Sequence, residues 1–234
     1  MIYRSNISAP DLQSHFVSTT ICRPRQWSMG HEVLSDSMYE PECGFMTHDE
    51  AAILYECARR VGGEWLDIGG RTGWTTAHIA AGADSVYVVD SALRFDMMLS
   101  RFEHNMWEQW NKIAGIHHVD SNRYFAECWK NFEGVCIDGN HDAPYPLNDA
   151  RNALDHLVET GVIVLHDFWG RPIREGVEYL IGQGLKCRTY DTPNGMAVCW
   201  RGDFTPPDHV PDPAVDWTSV RAGRASDFDF SRCA

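Results

Sequence analysis

The run Trp65-Leu66-Asp67-Ile68-Gly69-Gly70-Arg71-Thr72-Gly73-Trp74-Thr75-Thr76, followed by Val86-Tyr87-Val88-Val89-Asp90, constrains this chain more than any other feature. It predicts an apolar strand ending in an acid, a glycine turn, a helix, and a second apolar strand that also ends in an acid. Glycines between strand and helix let a ligand come close to the backbone, because no side chain stands in the way. An acid about twenty residues further on is placed to accept hydrogen bonds from ribose hydroxyls. The pattern is that of a nucleoside-cofactor pocket at the opening of a parallel sheet.

The type of cofactor follows from the turn. A dinucleotide site prefers G-x-G-x-x-G, with the pyrophosphate at the helix N-terminus. Here the arrangement is Asp67-x-Gly69-x-x-x-Gly73. A carboxylate beside the turn repels a pyrophosphate and suits a cofactor that carries an ammonium and a sulfonium. The motif resembles the first motif of class I S-adenosylmethionine-dependent methyltransferases.

Further segments extend the likeness. Val135-Cys136-Ile137-Asp138-Gly139-Asn140-His141 is an apolar strand ending in an acid, followed by Tyr145, Asp149, a helix and Gly161-Val162-Ile163-Val164-Leu165-His166-Asp167. This series is similar to the branch of that family containing small-molecule and sugar O-methyltransferases, some of them metal-assisted. The resemblance runs from about Gly44 to Asp203. Residues 1–43 are expected to cap the sheet with one or two short helices, and 204–234 to form a Pro-rich tail, ordered only where it docks.

The fold class implied is α/β, a Rossmann-like, mostly parallel seven-stranded sheet with helices on both faces and a C-terminal antiparallel hairpin strand. Thr47-His48-Asp49-Glu50 is a capping box opening a helix to about residue 60, which gives His48 a local structural role. Strands are expected at 64–68, 85–90, 113–119, 133–138, 162–166, 185–190 and 196–201. Helices are expected at 73–81, at 92–110, after Ser121, on the stripe Leu147, Ala150, Leu154, Leu157 and Val158, and from Pro172. Thr192-Pro193-Asn194-Gly195 is a hairpin turn.

Bulk properties exclude several classes. With 20 basic and 33 acidic residues the net charge is −13, which disfavours a large nucleic-acid footprint. No apolar run nears the roughly 18–20 residues that span a bilayer, and the first residues do not read as a signal peptide. The eight cysteines include no C-x-x-C pair, and Cys57, Cys136 and Cys199 sit in apolar runs, as buried free thiols do. A cytoplasmic protein with a small-molecule acceptor, no nucleic-acid or membrane partner, and a homo-oligomer left open is the expectation.

In an open α/β sheet, ligands sit beyond the carboxyl ends of the strands. Asp67, Asp90, Asp120, Asp138 and the pair His166-Asp167 all fall there. The resemblance gives Asp67, Gly69 and Gly73 the methionine portion and adenosine, Asp90 the ribose, Asp120 with Ser121 the adenine, and Asp138 a place near methyl donor and acceptor. It also matches Asp138 and Asp167 to two acidic metal positions of catechol-type O-methyltransferases, for which Mg²⁺ is the hard-ligand cation. Those relatives carry Asn or Asp where this chain has Phe168, so the third ligand is missing unless His141, His166 or Asp142 replaces it. The alternative catalytic device is a histidine base, His141 or His166, acting with Asp138. Trp27, Tyr39, Tyr145, Phe168 and Trp169 are candidates to line an acceptor pocket, though each also fits ordinary packing. Two other readings of the pocket stand beside these: a nicotinamide-dependent oxidoreductase and a non-catalytic cofactor-binding partner.

Overall fold

The computed structural model describes residues 7, 9–10, 46–192, 194–210 and 229–233. Most of 1–43, with Trp27 and Tyr39, and most of the tail lie outside the described residues.

Seven strands form one sheet: β1 (Glu64–Ile68), β2 (Ser85–Val89), β3 (Ile113–His117), β4 (Phe132–Ile137), β5 (Leu157–His166), β6 (Lys186–Tyr190) and β7 (Met196–Trp200). Their order is β3-β2-β1-β4-β5-β7-β6. Neighbours from β3 to β5 are parallel, whereas β7 runs antiparallel to both β5 and β6. The order reverses between β1 and β4, and a crevice opens at such a switch point. Gly195 accepts the positive φ that closes the β6–β7 turn, and its N–H donates to Thr192 O.

Among the described residues six α-helices cover the sheet: α1 (His48–Val61), α2 (Trp74–Gly82), α3 (Asp96–Asn105), α4 (Ser121–Glu127), α5 (Tyr145–Asp155) and α6 (Arg171–Gly182). The first three bury Leu54, Ile79 and Phe102 against one face of the sheet. The last three bury Phe125, Leu154 and Val177 against the other. The capping box forms as expected: Thr47 N–H donates to Glu50 Oε2 at 2.9 Å and Glu50 N–H donates to Thr47 Oγ1 at 3.3 Å. Acids in the first turn and Arg59 and Arg60 in the last complement the helix dipole.

Two elements differ from expectation. The helix expected over 92–110 is three pieces, with 3-10 turns at Ser91–Arg94 and Trp107–Lys112 flanking α3. Asp90 takes the N–H of Ala92, which commits the first piece to a tight turn, and Phe95 is extended before α3 begins. The stripe read through Leu157 and Val158 also ends early. Phe132 N–H donates to His156 O and Leu157 pairs with Phe132, so β5 begins where the helix was expected to continue.

Beyond β7, residues 204–210 lie against the body. Tyr190 Oη–H donates to Pro207 O at 2.7 Å, and Arg60 donates to Thr205 O at 2.9 Å. The tail is therefore docked over this stretch. Cys57, Cys136, Cys187 and Cys199 are buried and free, as read from the sequence. Among the described residues no helix is long and apolar enough to cross a membrane.

Candidate active site

The first turn is built by backbone approach. Gly69 has φ +99°, and its N–H donates to Val89 O at 2.9 Å. A Cβ on Gly69 would lie 2.2 Å from Asp138 O, so the β1 turn and the β4 turn touch backbone to backbone. The packing of the two turns therefore requires glycine there. Gly73, with φ +96°, caps α2, and its Cβ would meet Met106 Sδ at 3.0 Å. It is a packing glycine behind the turn, and it does not line the cavity, contrary to expectation.

Asp67 also departs from its expected place. The side chain is fully buried and turns toward α2, where the hydroxyls of Thr75 and Thr76 donate to Oδ2 at 2.8 and 2.6 Å. Oδ1 is buried with no hydrogen-bond partner. Burial pushes the carboxyl up to about 7, against the lowering effect of the two hydroxyls. Asp67 therefore anchors the first turn of α2 to β1 and does not form the cavity wall.

The wall consists of Ile68, Gly69, Asp90, Asp120, Ser121, Asp138 and Tyr145, among others, around a cavity of about 320 Å³ at the carboxyl ends of β1, β2 and β4. Asp90 is held at both oxygens: Ala92 N–H donates to Oδ1 at 2.7 Å and Arg71 N–H to Oδ2 at 2.8 Å. Each oxygen keeps lone-pair capacity toward the cavity. Asp120 caps α4, accepting from Arg123 N–H at 3.1 Å, so its turn-forming and cavity-lining roles coexist. Ser121 beside it is buried.

At the β4–β5 side of this cavity lies a cluster of ionisable groups. His141 Nε2 stands 3.6 Å from Asp138 Oδ1 and 3.3 Å from Asp167 Oδ2. Asp138, His141 and Asp167 each offer a ligand atom, all within 4.8 Å of one another. Asp142 is outside this set; its N–H binds the side chain of Asn140. Asp167 sits at φ +56°, a left-handed conformation that Asp tolerates better than most residues, and Gly170 N–H donates to its carbonyl.

His166 lies behind the acids. Its side chain is wholly buried, with Nδ1 3.0 Å from Asp138 Oδ1 and 3.3 Å from Asp167 Oδ2, and Nε2 3.1 Å from Glu50 Oε2. Both ring nitrogens are engaged, so His166 cannot meet an acceptor, and the expectation of a base at that position is corrected to support of the two acids. Burial works to lower its pKa, but Asp138, Asp167 and Glu50 outweigh it and hold the imidazolium well above the usual histidine range. Glu50 is lowered despite burial, by His166 and by the N–H groups of Thr47 and Asn194. At His141 too, the neighbouring carboxylates overcome burial and raise the pKa.

Glu50 and Asn194 are the members the sequence reading missed. Asn194 donates to Glu50 from its backbone at 2.8 Å and from Nδ2 at 3.1 Å. Locally, Glu50 is fully explained as the third residue of a capping box, and only the docking of α1 under the end of β5 brings it to His166. Of the aromatics, Tyr145 lines the cavity. Phe168 is buried in the core, and Trp169 packs on the β6–β7 turn with its Nε1–H donating to Thr192 O.

Residues 66–168, from β1 through the turn after β5, match a family profile described as a methyltransferase domain. No curated protein sequence matches the chain. Similar solved structures include the O-methyltransferase TomG of Streptomyces achromogenes, involved in tomaymycin synthesis and solved with S-adenosylmethionine. It is 14% identical, with 65% of this chain and 79% of that one covered at a TM-score of 0.54. Precorrin-6y C5,15-methyltransferase of Geobacter metallireducens is 13% identical, with 67% and 89% covered at 0.55. An rRNA methylase of Streptococcus thermophilus is 16% identical, with 65% and 94% covered at 0.52. At these identities the likeness speaks for the fold, and the profile match speaks for the activity; the nicotinamide and non-catalytic readings are set aside. Residues 66–168 of the chain thus match a methyltransferase domain, set in a fold shared with methyltransferases of known structure.

Proposed function

We propose that the protein transfers the methyl group of S-adenosylmethionine to a hydroxyl oxygen of a small molecule, such as a sugar or natural product, in the cytoplasm, with a divalent cation held by Asp138, Asp167 and His141. The observation that carries this reading is the convergence of those three side chains beside the cavity that Asp138 itself lines. A net charge of −13 favours a small acceptor over a polyanion.

The donor set fits such a cation. Two carboxylates and an imidazole are common ligands of divalent metals. Charge supports it too. Three carboxylates (Glu50, Asp138 and Asp167) meet two histidines, His141 and His166, so acids outnumber bases in the cluster, which suits a cation. When bound, the ion supplies Lewis acidity toward the acceptor hydroxyl.

The remaining work falls to the chain. Asp90 accepts from the ribose hydroxyls and stays aimed at them by the N–H groups of Ala92 and Arg71. Asp120 and Ser121 stand at the adenine end, and the turns of Gly69 and Asp138 enclose the methionine end. S-adenosylmethionine brings the electrophilic methyl carbon. As the carbon–oxygen bond forms, the carbon–sulfur bond breaks, the sulfonium becomes a neutral thioether, and the hydroxyl proton passes to solvent water. Holding the two reactants in line is worth at most roughly 7–11 kcal/mol.

With a hydroxylated acceptor that is turned over, a chelator is expected to abolish methyl transfer while S-adenosylhomocysteine still binds, and an added divalent ion should restore turnover. Asp167→Asn, which exchanges a charged ligand for a neutral one, should raise the ion concentration needed. Full activity in excess chelator would refute the metal and leave His141 as the proton acceptor.

A further inference from the structure

We infer that His141 contributes nitrogen as the third protein ligand, so that the site prefers a first-row transition ion over Mg²⁺, even when that ion is Mn²⁺, the hardest of the series; this rests on the divalent-cation reading above. Three observations lead to it.

The position that would supply a hard oxygen, directly after Asp167, holds Phe168, which is 0% exposed and packed in the core. Its side chain is apolar and offers no ligand atom. The amide oxygen of Asn140 accepts the Asp142 N–H at 2.9 Å, holding the loop in its turn. The ring of His141 does reach the site, with Nε2 aimed between Asp138 Oδ1 and Asp167 Oδ2.

The supporting layer agrees with that division. His166 contacts one oxygen of each acid from the buried side and is itself fixed by Glu50, which Thr47 and Asn194 hold in turn. The acids are thus clamped from behind, as ligands tuned by outer partners are. His141, by contrast, is 31% exposed and closes the site from the solvent side. A neutral imidazole in place of an oxygen suits later first-row ions, whereas Mg²⁺ dehydrates reluctantly and favours all-oxygen shells.

The test is made on the full chain without acceptor. Mn²⁺ is titrated and followed by electron paramagnetic resonance, Mg²⁺ is added as competitor, and pulsed measurements on the bound Mn²⁺ look for ¹⁴N coupling. Mn²⁺ is expected to bind at least about tenfold more tightly than Mg²⁺, with a directly ligated ¹⁴N. His141→Asn should lose that coupling and bring the two affinities closer together. Mn²⁺ bound without ¹⁴N coupling in the wild-type protein would overturn the nitrogen ligand while leaving the cation reading intact, whether or not the variant folds. A folded His141→Asn protein with coupling and ion ratio unchanged would do the same. If neither ion binds the wild-type protein, the cation reading fails, and this inference fails with it.

Discussion

Replacing His166 by alanine is expected to destabilise the protein by about 3–5 kcal/mol, the loss seen when one partner of a buried ion pair is removed. Glu50 is wholly buried, and its contact at 3.1 Å is to His166 Nε2. Without the imidazolium it is a buried carboxylate facing only neutral donors, and Asp138 and Asp167 repel each other across the gap. The deficit should shrink in acid. In the variant the buried carboxyl has a raised pKa, so the folded state holds its proton over a range where the unfolded chain, titrating near 4.5, has lost it. Stability of the variant then falls as pH rises through that range. Adding Glu50→Gln should recover part of the loss, because the two residues are coupled. Urea denaturation of wild type, both single variants and the double variant decides the matter. A double variant as unstable as the sum of the singles would show that the pair does not hold this region together.

Gly69→Val should be nearly as damaging, for a reason of backbone rather than ligand. A positive φ in a β-branched residue costs about 1–3 kcal/mol. The new Cβ would also stand 2.2 Å from Asp138 O, and relieving such an overlap costs typically another 1–3 kcal/mol. Relief must move the β4 turn away from the β1 turn, so cofactor affinity falls together with stability. Gly139→Ala is the control. Its Cβ would meet Ile68 Cγ2 at 3.2 Å and the Ile68 carbonyl oxygen at 3.8 Å, so the loss of stability should be small. A Gly69→Val protein with wild-type melting temperature and tight S-adenosylhomocysteine binding would contradict the described contact of the two turns.

Strand alternation and the acids at strand ends made the sheet and its crevice legible in the sequence, because both follow from local periodicity and from where open sheets bind ligands. Asp90, Asp120, Ser121, Asp138 and Asp167 all reach the cavity or the cluster beside it. What local sequence could not convey was direction and long-range docking. Asp67 belongs to the right motif, but its side chain points at Thr75 and Thr76. Glu50 is separated from His166 by 116 residues and satisfies a local motif by itself, so nothing near it in the chain signals its second partner. The broken helix at 91–112 escaped for a related reason: Asp90 serves both the cavity and the turn that starts there, and periodicity is blind to such a cap.

In the proposed reading, the cavity takes an S-adenosyl group with Asp90 at its ribose. Calorimetric titration of the wild-type protein and of Asp90→Ala with S-adenosylhomocysteine tests it most directly. Charge-assisted hydrogen bonds of this kind are worth roughly 1.5–3 kcal/mol, so the wild type should bind and the variant, folded by circular dichroism, should bind on the order of tenfold to a hundredfold more weakly. A folded wild-type protein that gives no binding heat across temperatures, or an Asp90→Ala protein with an unchanged dissociation constant, would contradict it.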